Sequence, residues 1–237
     1  MADSHVEIAD IETSSDDYAA RFAGPVGEWM LGVQESIVLS WVRDVLPDAV
    51  LDVGGGHGQL AGPLARAGNK ITVLGSDPVC AKRIEAEIRA GEIKFQVGNV
   101  MALPFPDKSF DVVISIRLLP HCERWPELIR ELCRVARKSV MVDYPLENKP
   151  AAILFSAKKK LEGNTRPWLS FSHAAVQVEF ERNGFRLKRR TGQFFLPMVL
   201  HRTLKCRALS SFLESVCRRL GLTRRWGSPV LAEMQRS

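Results

Sequence analysis

Short apolar runs alternate along this chain with segments whose apolar residues recur every three or four positions. Residues 50–53, 70–77, 93–97, 110–114 and 139–143 are the apolar runs and predict five strands. Between them Leu60, Leu64 and Ala67, then Ile84 and Ile88, then Leu128, Leu132 and Val135 keep helical spacing. Upstream, Trp29, Met30, Val33, Ile37, Val38 and Trp41 predict a longer helix, which follows a Gly24-Pro25 break and is closed by Pro47. Downstream, a helix over 171–182 stops at Asn183-Gly184, and strands follow over 185–195 and 228–235. Strands alternating with helices predict an α/β chain with a mainly parallel, doubly wound sheet and helices on both faces.

Charge divides the chain unevenly. Residues 1–17 hold six acids and no Lys or Arg, with few large apolars, and predict a disordered acidic N-terminus. Residues 18–237 then form one domain, interrupted by excursions at about 145–172 and 196–225. The second excursion carries seven Lys or Arg against Glu214 alone, which matches the net charge of +6 for the whole chain, so the basicity is local. Five scattered cysteines, none in a C-x-x-C pair, argue for reduced thiols in a cytoplasmic protein and against a metal site. No stretch has the length of a membrane span or the layout of a signal peptide.

The chemistry gathers at Val50-Leu-Asp-Val-Gly-Gly-Gly-His-Gly-Gln59. A strand, a glycine turn and a helix in that order open a nucleotide-binding βαβ unit, because the turn needs backbone angles a Cβ forbids and a ligand must touch the main chain. A dinucleotide enzyme puts its third glycine where this chain has Gln59. Here the pattern is G-x-G-x-G behind an acid, Asp52, suited to an ammonium group rather than a pyrophosphate; the plain alternative is a glycine-rich turn with no ligand. Asp77, about 20 residues on, ends an apolar strand before Pro78. It either accepts both hydroxyls of a ribose or caps its own helix. Asn99, at another strand end, either pairs with an adenine edge or bonds its own backbone.

These residues, in this order, resemble the class I S-adenosylmethionine-dependent methyltransferases, in particular the small-molecule enzymes of quinone and biotin pathways. Val50–Gln59, Gly75-Ser-Asp-Pro78, the 98–115 block with Leu103-Pro-Phe-Pro and Phe110-Asp-Val-Val, and Arg130-Glu-Leu-Cys-Arg-Val-Ala-Arg137 carry the likeness. The resemblance implies a Rossmann-like seven-stranded sheet with an antiparallel last strand, the excursions forming helical lids. It implies S-adenosyl-L-methionine as cofactor, with Asp52, Gly54 and Gly56 along its methionine part, Asp77 and Pro78 at the ribose, Asn99 and Val100 at the adenine, and Ser115 on the methionine side. Tyr18 and Arg21 fold over it. Asn99 stands where the family usually has Asp, and Ala136-Arg-Lys-Ser139 replaces its Lys-Pro-Gly-Gly turn.

Methyl transfer is an in-line displacement that needs alignment and exclusion of water, and needs a base only where the acceptor keeps its proton. Arg117 and His121, after the fourth strand, and Tyr144, after the fifth, are the weak candidates; the plainer reading of His121 is that it caps or rims a helix. In 196–225, apolar residues interleave with the bases. The expected acceptor is a small, apolar or amphiphilic anionic molecule, with contact at a membrane surface as a further expectation. The bland alternative is a helix that packs its apolar face on the domain. A nucleic-acid partner is disfavoured, because no Asn/Asp-Pro-Pro-Tyr/Phe run follows the fourth strand and the aromatics do not interleave with a basic stripe. The other readings are an RNA or protein methyltransferase, or a non-catalytic binding protein with this fold.

Overall fold

The computed structural model describes residues 9–147 and 168–237. Seven strands form one sheet: β1 (Ala49–Val53), β2 (Lys70–Gly75), β3 (Ile93–Val97), β4 (Phe110–Ser115), β5 (Ala136–Tyr144), β6 (Phe185–Gly192) and β7 (Val230–Arg236). Their order is β3-β2-β1-β4-β5-β7-β6. The first five pair in parallel, and β7 runs antiparallel to both β5 and β6. The seven-stranded sheet with its antiparallel last strand is therefore as expected. Strand order reverses between β1 and β4, which places the ligand crevice of an open parallel sheet above their carboxyl ends.

The helices are α1 (Ala9–Thr13), α2 (Asp16–Ala20), α3 (Gly24–Val45), α4 (Ala61–Arg66), α5 (Glu85–Arg89), α6 (Trp125–Val135), α7 (His173–Arg182), α8 (Met198–Leu204), α9 (Arg207–Arg219) and α10 (Leu222–Trp226). The Gly24-Pro25 pair starts α3 rather than breaking the chain: Pro25 sits in the first turn, where its missing N–H costs nothing. The α6 face of Leu128, Leu132 and Val135 is fully buried against the sheet; each such side chain contributes about 1.5–3 kcal/mol. Strand β5 begins at Ala136, directly after α6, so no turn of the usual family length separates them.

One expectation changes. Over residues 9–17 the chain is not disordered but forms α1 and the start of α2, with Asp10 fully buried. Composition misled because those acids have specific partners: Asp10 accepts from the Ser76 N–H at 2.6 Å and the Ser76 hydroxyl at 2.5 Å, and Asp16 pairs with Lys82 and Arg83. Residues 1–8 lie outside the described residues, as does most of the first excursion, 148–167, including Lys158-Lys-Lys160. The second excursion is helical throughout its core, as α8, α9 and α10.

Candidate active site

The glycine turn leaves β1 through Gly54 and Gly58, both left-handed at φ +75° and +77°, angles that favour glycine. The amide of Gly54 donates to the Leu74 carbonyl at 2.8 Å, which holds the turn over β2. Gly56 is required by close approach: a Cβ there would lie 2.3 Å from the Ser14 hydroxyl and 2.4 Å from the Cys80 carbonyl. Asp52 is buried beneath the turn, and burial pushes its carboxyl up to about 7 against the opposing pull of Arg117.

His57 stands inside the turn. Its ring meets the rings of Tyr18 and Phe22 edge-on, each 6.0 Å away. Burial, then the charges of Arg117 and Arg83, drive its pKa down to about 3, so it is neutral. Both ring nitrogens are buried and have no hydrogen-bond partner among the described residues, and the same holds for Oε1 of Gln59 and one guanidinium nitrogen of Arg117. Asp52, Gly54, Gly55, His57, Gln59 and Arg117 surround one small cavity. Buried polar atoms are normally satisfied. Four orphans around a glycine turn fit a polar ligand such as the amino-acid end of S-adenosylmethionine.

The nucleoside end is arranged differently. Asp77 accepts from the Val79 amide at 2.8 Å and so caps its own helical turn, with Pro78 in first position. Asn99 accepts from the Met101 amide at 2.9 Å and organises its own loop. Val100 is core, and Ser115 donates to the Val53 carbonyl at 3.3 Å. Helix α1 lies over this crevice, with Asp10 on Ser76 and its Cβ beside Gly54. Arg83 donates to the Ser14 carbonyl at 3.3 Å and to Asp16 at 2.6 Å, which fastens the segment down.

A second cavity of about 170 Å³ opens above β4 and β5. Tyr18, Arg21 and Phe22 form one wall; Met30, Leu31 and Gln34 of α3 form the floor; Phe194, Met198 and Arg202 form the far side. Trp168 packs on His121 with centroids 5.1 Å apart, because Leu169 bonds back to the Pro120 carbonyl at 2.8 Å. Tyr18 meets the His57 ring of the turn, and the Arg21 guanidinium lies 5.3 Å from the Tyr18 ring.

Of the three weak candidates, Arg117 and His121 line this cavity and Tyr144 does not. Its hydroxyl bonds Nδ1 of His173 at 3.0 Å within a buried cluster with Phe171, and burial raises its pKa to about 12. Successive strand residues face opposite ways, so the residue aimed into the cavity is its neighbour Asp143. Asp143 accepts from the Arg117 amide at 2.6 Å and from Gln34 at 3.0 Å, and burial pushes its carboxyl up to about 6. An acid closing an apolar strand, as Asp52 and Asp77 also do, was the signal for it. His201 is structural: its Nε2 lies 3.1 Å from Glu214, which also accepts from the Phe195 and Leu196 amides.

Residues 51–142 match the methyltransferase domain family. The 27-O-demethylrifamycin SV methyltransferase of Amycolatopsis mediterranei is 34% identical over 126 residues, covering 48% of this chain and 45% of that enzyme. The 2-methyl-6-phytyl-1,4-hydroquinone methyltransferase of Synechocystis is 39% identical over 99 residues, covering 40% and 31%. The chain thus spans less than half the length of either relative. The solved magnesium protoporphyrin IX methyltransferase of Synechocystis, with bound S-adenosylhomocysteine, superimposes with a TM-score of 0.67 at 15% identity, covering 95% of this chain and 97% of that one. The matched segment holds the glycine turn, β2 to β4 and most of β1 and β5; the two cavity walls from residues 18–34 and 193–202 lie outside it. The superposition shows a shared fold.

Proposed function

We propose that this protein is an S-adenosylmethionine-dependent methyltransferase whose acceptor is a small, apolar or amphiphilic molecule seated in the cavity above β4 and β5. The carrying observation is the adjacency of two sites that share Arg117: a glycine turn ringed by unpaired buried polar atoms, and an aromatic cavity. The cofactor supplies a sulfonium-bound methyl group. Asp52, the amides of the glycine turn and His57 hold its amino-acid end. Tyr18, Phe22 and Trp168 keep water from the space between the two sites, where an in-line displacement needs it excluded. Asp143, half ionised near pH 6, takes up the proton that a hydroxyl acceptor sheds. Asp77 and Asn99 serve the nucleoside once α1 has left Ser76.

The bland reading of the second excursion meets an opposing observation. Helix α9 turns Ser210 and Glu214 inward, while Leu209, Phe212, Val216 and Leu220 stay exposed, Phe212 by 64%. The same helix carries the exposed Arg207 and Arg219, while Arg218 donates to the Gln193 carbonyl. An apolar stripe on a helix that also carries exposed arginines suits an anionic membrane surface, and this supports peripheral delivery of an amphiphilic acceptor to a protein otherwise in the cytoplasm. Among the described residues no helix is long and apolar enough to cross a membrane.

The test is a labelled-methyl transfer assay over a cell extract divided into lipid, small-molecule, RNA and protein fractions, run beside calorimetric titration of S-adenosylhomocysteine. Label in the lipid or small-molecule fraction supports the reading. Label in RNA or protein, or no binding of S-adenosylhomocysteine, overturns it.

A further inference from the structure

Gln193 follows the last residue of β6 and lines the cavity above β4 and β5. It is only 2% exposed, and its side-chain Nε2 is buried with no hydrogen-bond partner among the described residues. The backbone around it is fixed. Its own amide donates to the Pro229 carbonyl at 2.9 Å, and the Ser228 amide donates to the Phe194 carbonyl at 2.7 Å. Gly192, just before it, packs so closely that a Cβ there would lie 2.6 Å from the Gly227 Cα. A side-chain amide with a donor to spare is therefore carried on a rigid edge of the sheet.

Strand register relates this residue to Asp143. Asp143 pairs with Leu231 of β7, and Leu231 pairs with Thr191 of β6. Residues two apart on a strand share a face. Gln193 thus lies on the same side as Asp143, two strand spacings away, or about 10 Å across the sheet. At the Asp143 end both carboxylate oxygens are engaged, one by the Arg117 amide and the other by Nε2 of Gln34. At the Gln193 end the donor is open, although buried polar groups are normally paired. An uncharged amide suits a neutral oxygen better than a carboxylate or phosphate, and Phe194 and Met198 in the same wall suit apolar carbon. We propose that Gln193 donates to a carbonyl oxygen of the acceptor while the hydroxyl to be methylated lies toward Asp143. The acceptor is then an uncharged, largely apolar molecule that carries a carbonyl apart from its reacting hydroxyl. The proposal rests on the acceptor-cavity reading above and narrows it to a substrate class; Gln193 selects the acceptor and takes no part in the transfer.

The experiment separates the two. The full chain is first titrated calorimetrically with S-adenosylhomocysteine, where absence of binding sinks the methyltransferase reading and leaves the Gln193 subsite to be judged on its own probes. It is then titrated, with and without S-adenosylhomocysteine, with 7-hydroxy-1-tetralone and with 5,6,7,8-tetrahydro-2-naphthol, which has the same skeleton without the carbonyl and is likewise uncharged at neutral pH. The ketone is expected to bind about tenfold tighter. Gln193→Met removes a donor that no described residue uses, so the preference disappears while binding of the carbonyl-free probe and the melting temperature hold. Gln193→Asn, a shorter amide, keeps part of the preference. Equal affinities in the wild type overturn the proposal, since the amide then holds no more than a water molecule. Failure of the wild type to bind either probe overturns it too. So does a ketone preference undiminished in Gln193→Met, because another group would then bind the carbonyl. If Gln193→Met does not fold, Gln193→Leu takes its place, and the wild-type comparison of the two probes stands without either variant.

Discussion

The amide of Arg117, at the end of β4, donates to the carboxylate of Asp143, at the end of β5, across 2.6 Å. This bond turns a strand-terminal acid into the wall of a cavity and places a guanidinium over two aromatic rings, those of Tyr18 and Phe22. Neither residue needs the other for the sheet to form, since β4 and β5 pair through their own backbones.

Asp143→Asn gives a pH-dependent result. The folded protein holds the Asp143 proton to about pH 6, well above the ordinary value of 3.8. The stability this contributes is fully present below the unfolded value and is lost as pH rises through about 6. The variant is therefore expected to gain on the wild type between pH 4 and pH 7, by up to about 3 kcal/mol. Urea titrations at four pH values check this; a stability difference that stays constant over that range counts against it. Methyl transfer to a hydroxyl acceptor falls about a hundredfold in the same variant.

Asp10→Ala loosens the segment that covers the β2 end of the crevice. Two hydrogen bonds to Ser76 disappear. If residues 9–17 compete with the nucleoside, S-adenosylhomocysteine binds about tenfold tighter to the variant. Weaker binding shows instead that the segment closes over the cofactor and helps to hold it.

Glu214→Ala strands the part-buried amides of Phe195 and Leu196 and leaves the buried His201 ring without its carboxylate. The expected loss is about 2–4 kcal/mol of stability by chemical denaturation. Glu214→Gln, which can still accept, loses less. A change under about 0.5 kcal/mol in the alanine variant removes the case that this carboxylate holds α9 to the domain.

Leu209→Ser with Phe212→Ser removes the centre of the exposed stripe without touching the buried face of α9. Flotation with anionic vesicles is expected to carry the wild type upward and to leave the double variant in solution. A wild type that does not float ends the membrane reading.

The order of elements and the position of the crevice could be read along the chain. Local runs such as 110–114 and the glycines at 54 and 58 carry their backbone preferences with them, and alternation of strand and helix leaves few ways to build a sheet. The acids closing β1 and β2 were legible for the same reason, as was the need for glycine at 56. Three matters depended on contacts between distant residues. Asp10 reads as part of an acidic tract until Ser76 is beside it, 66 positions away. Leu209 and Phe212 read as either a lid or a packed helix face until Glu214 claims the inward face of α9. Tyr144 and Asp143 are adjacent, and only the pleat of β5 and the Arg117 amide decide which of them faces the cavity. Local composition sets what a backbone can do, but which side chain meets which is decided by the packing of elements that the sequence holds far apart.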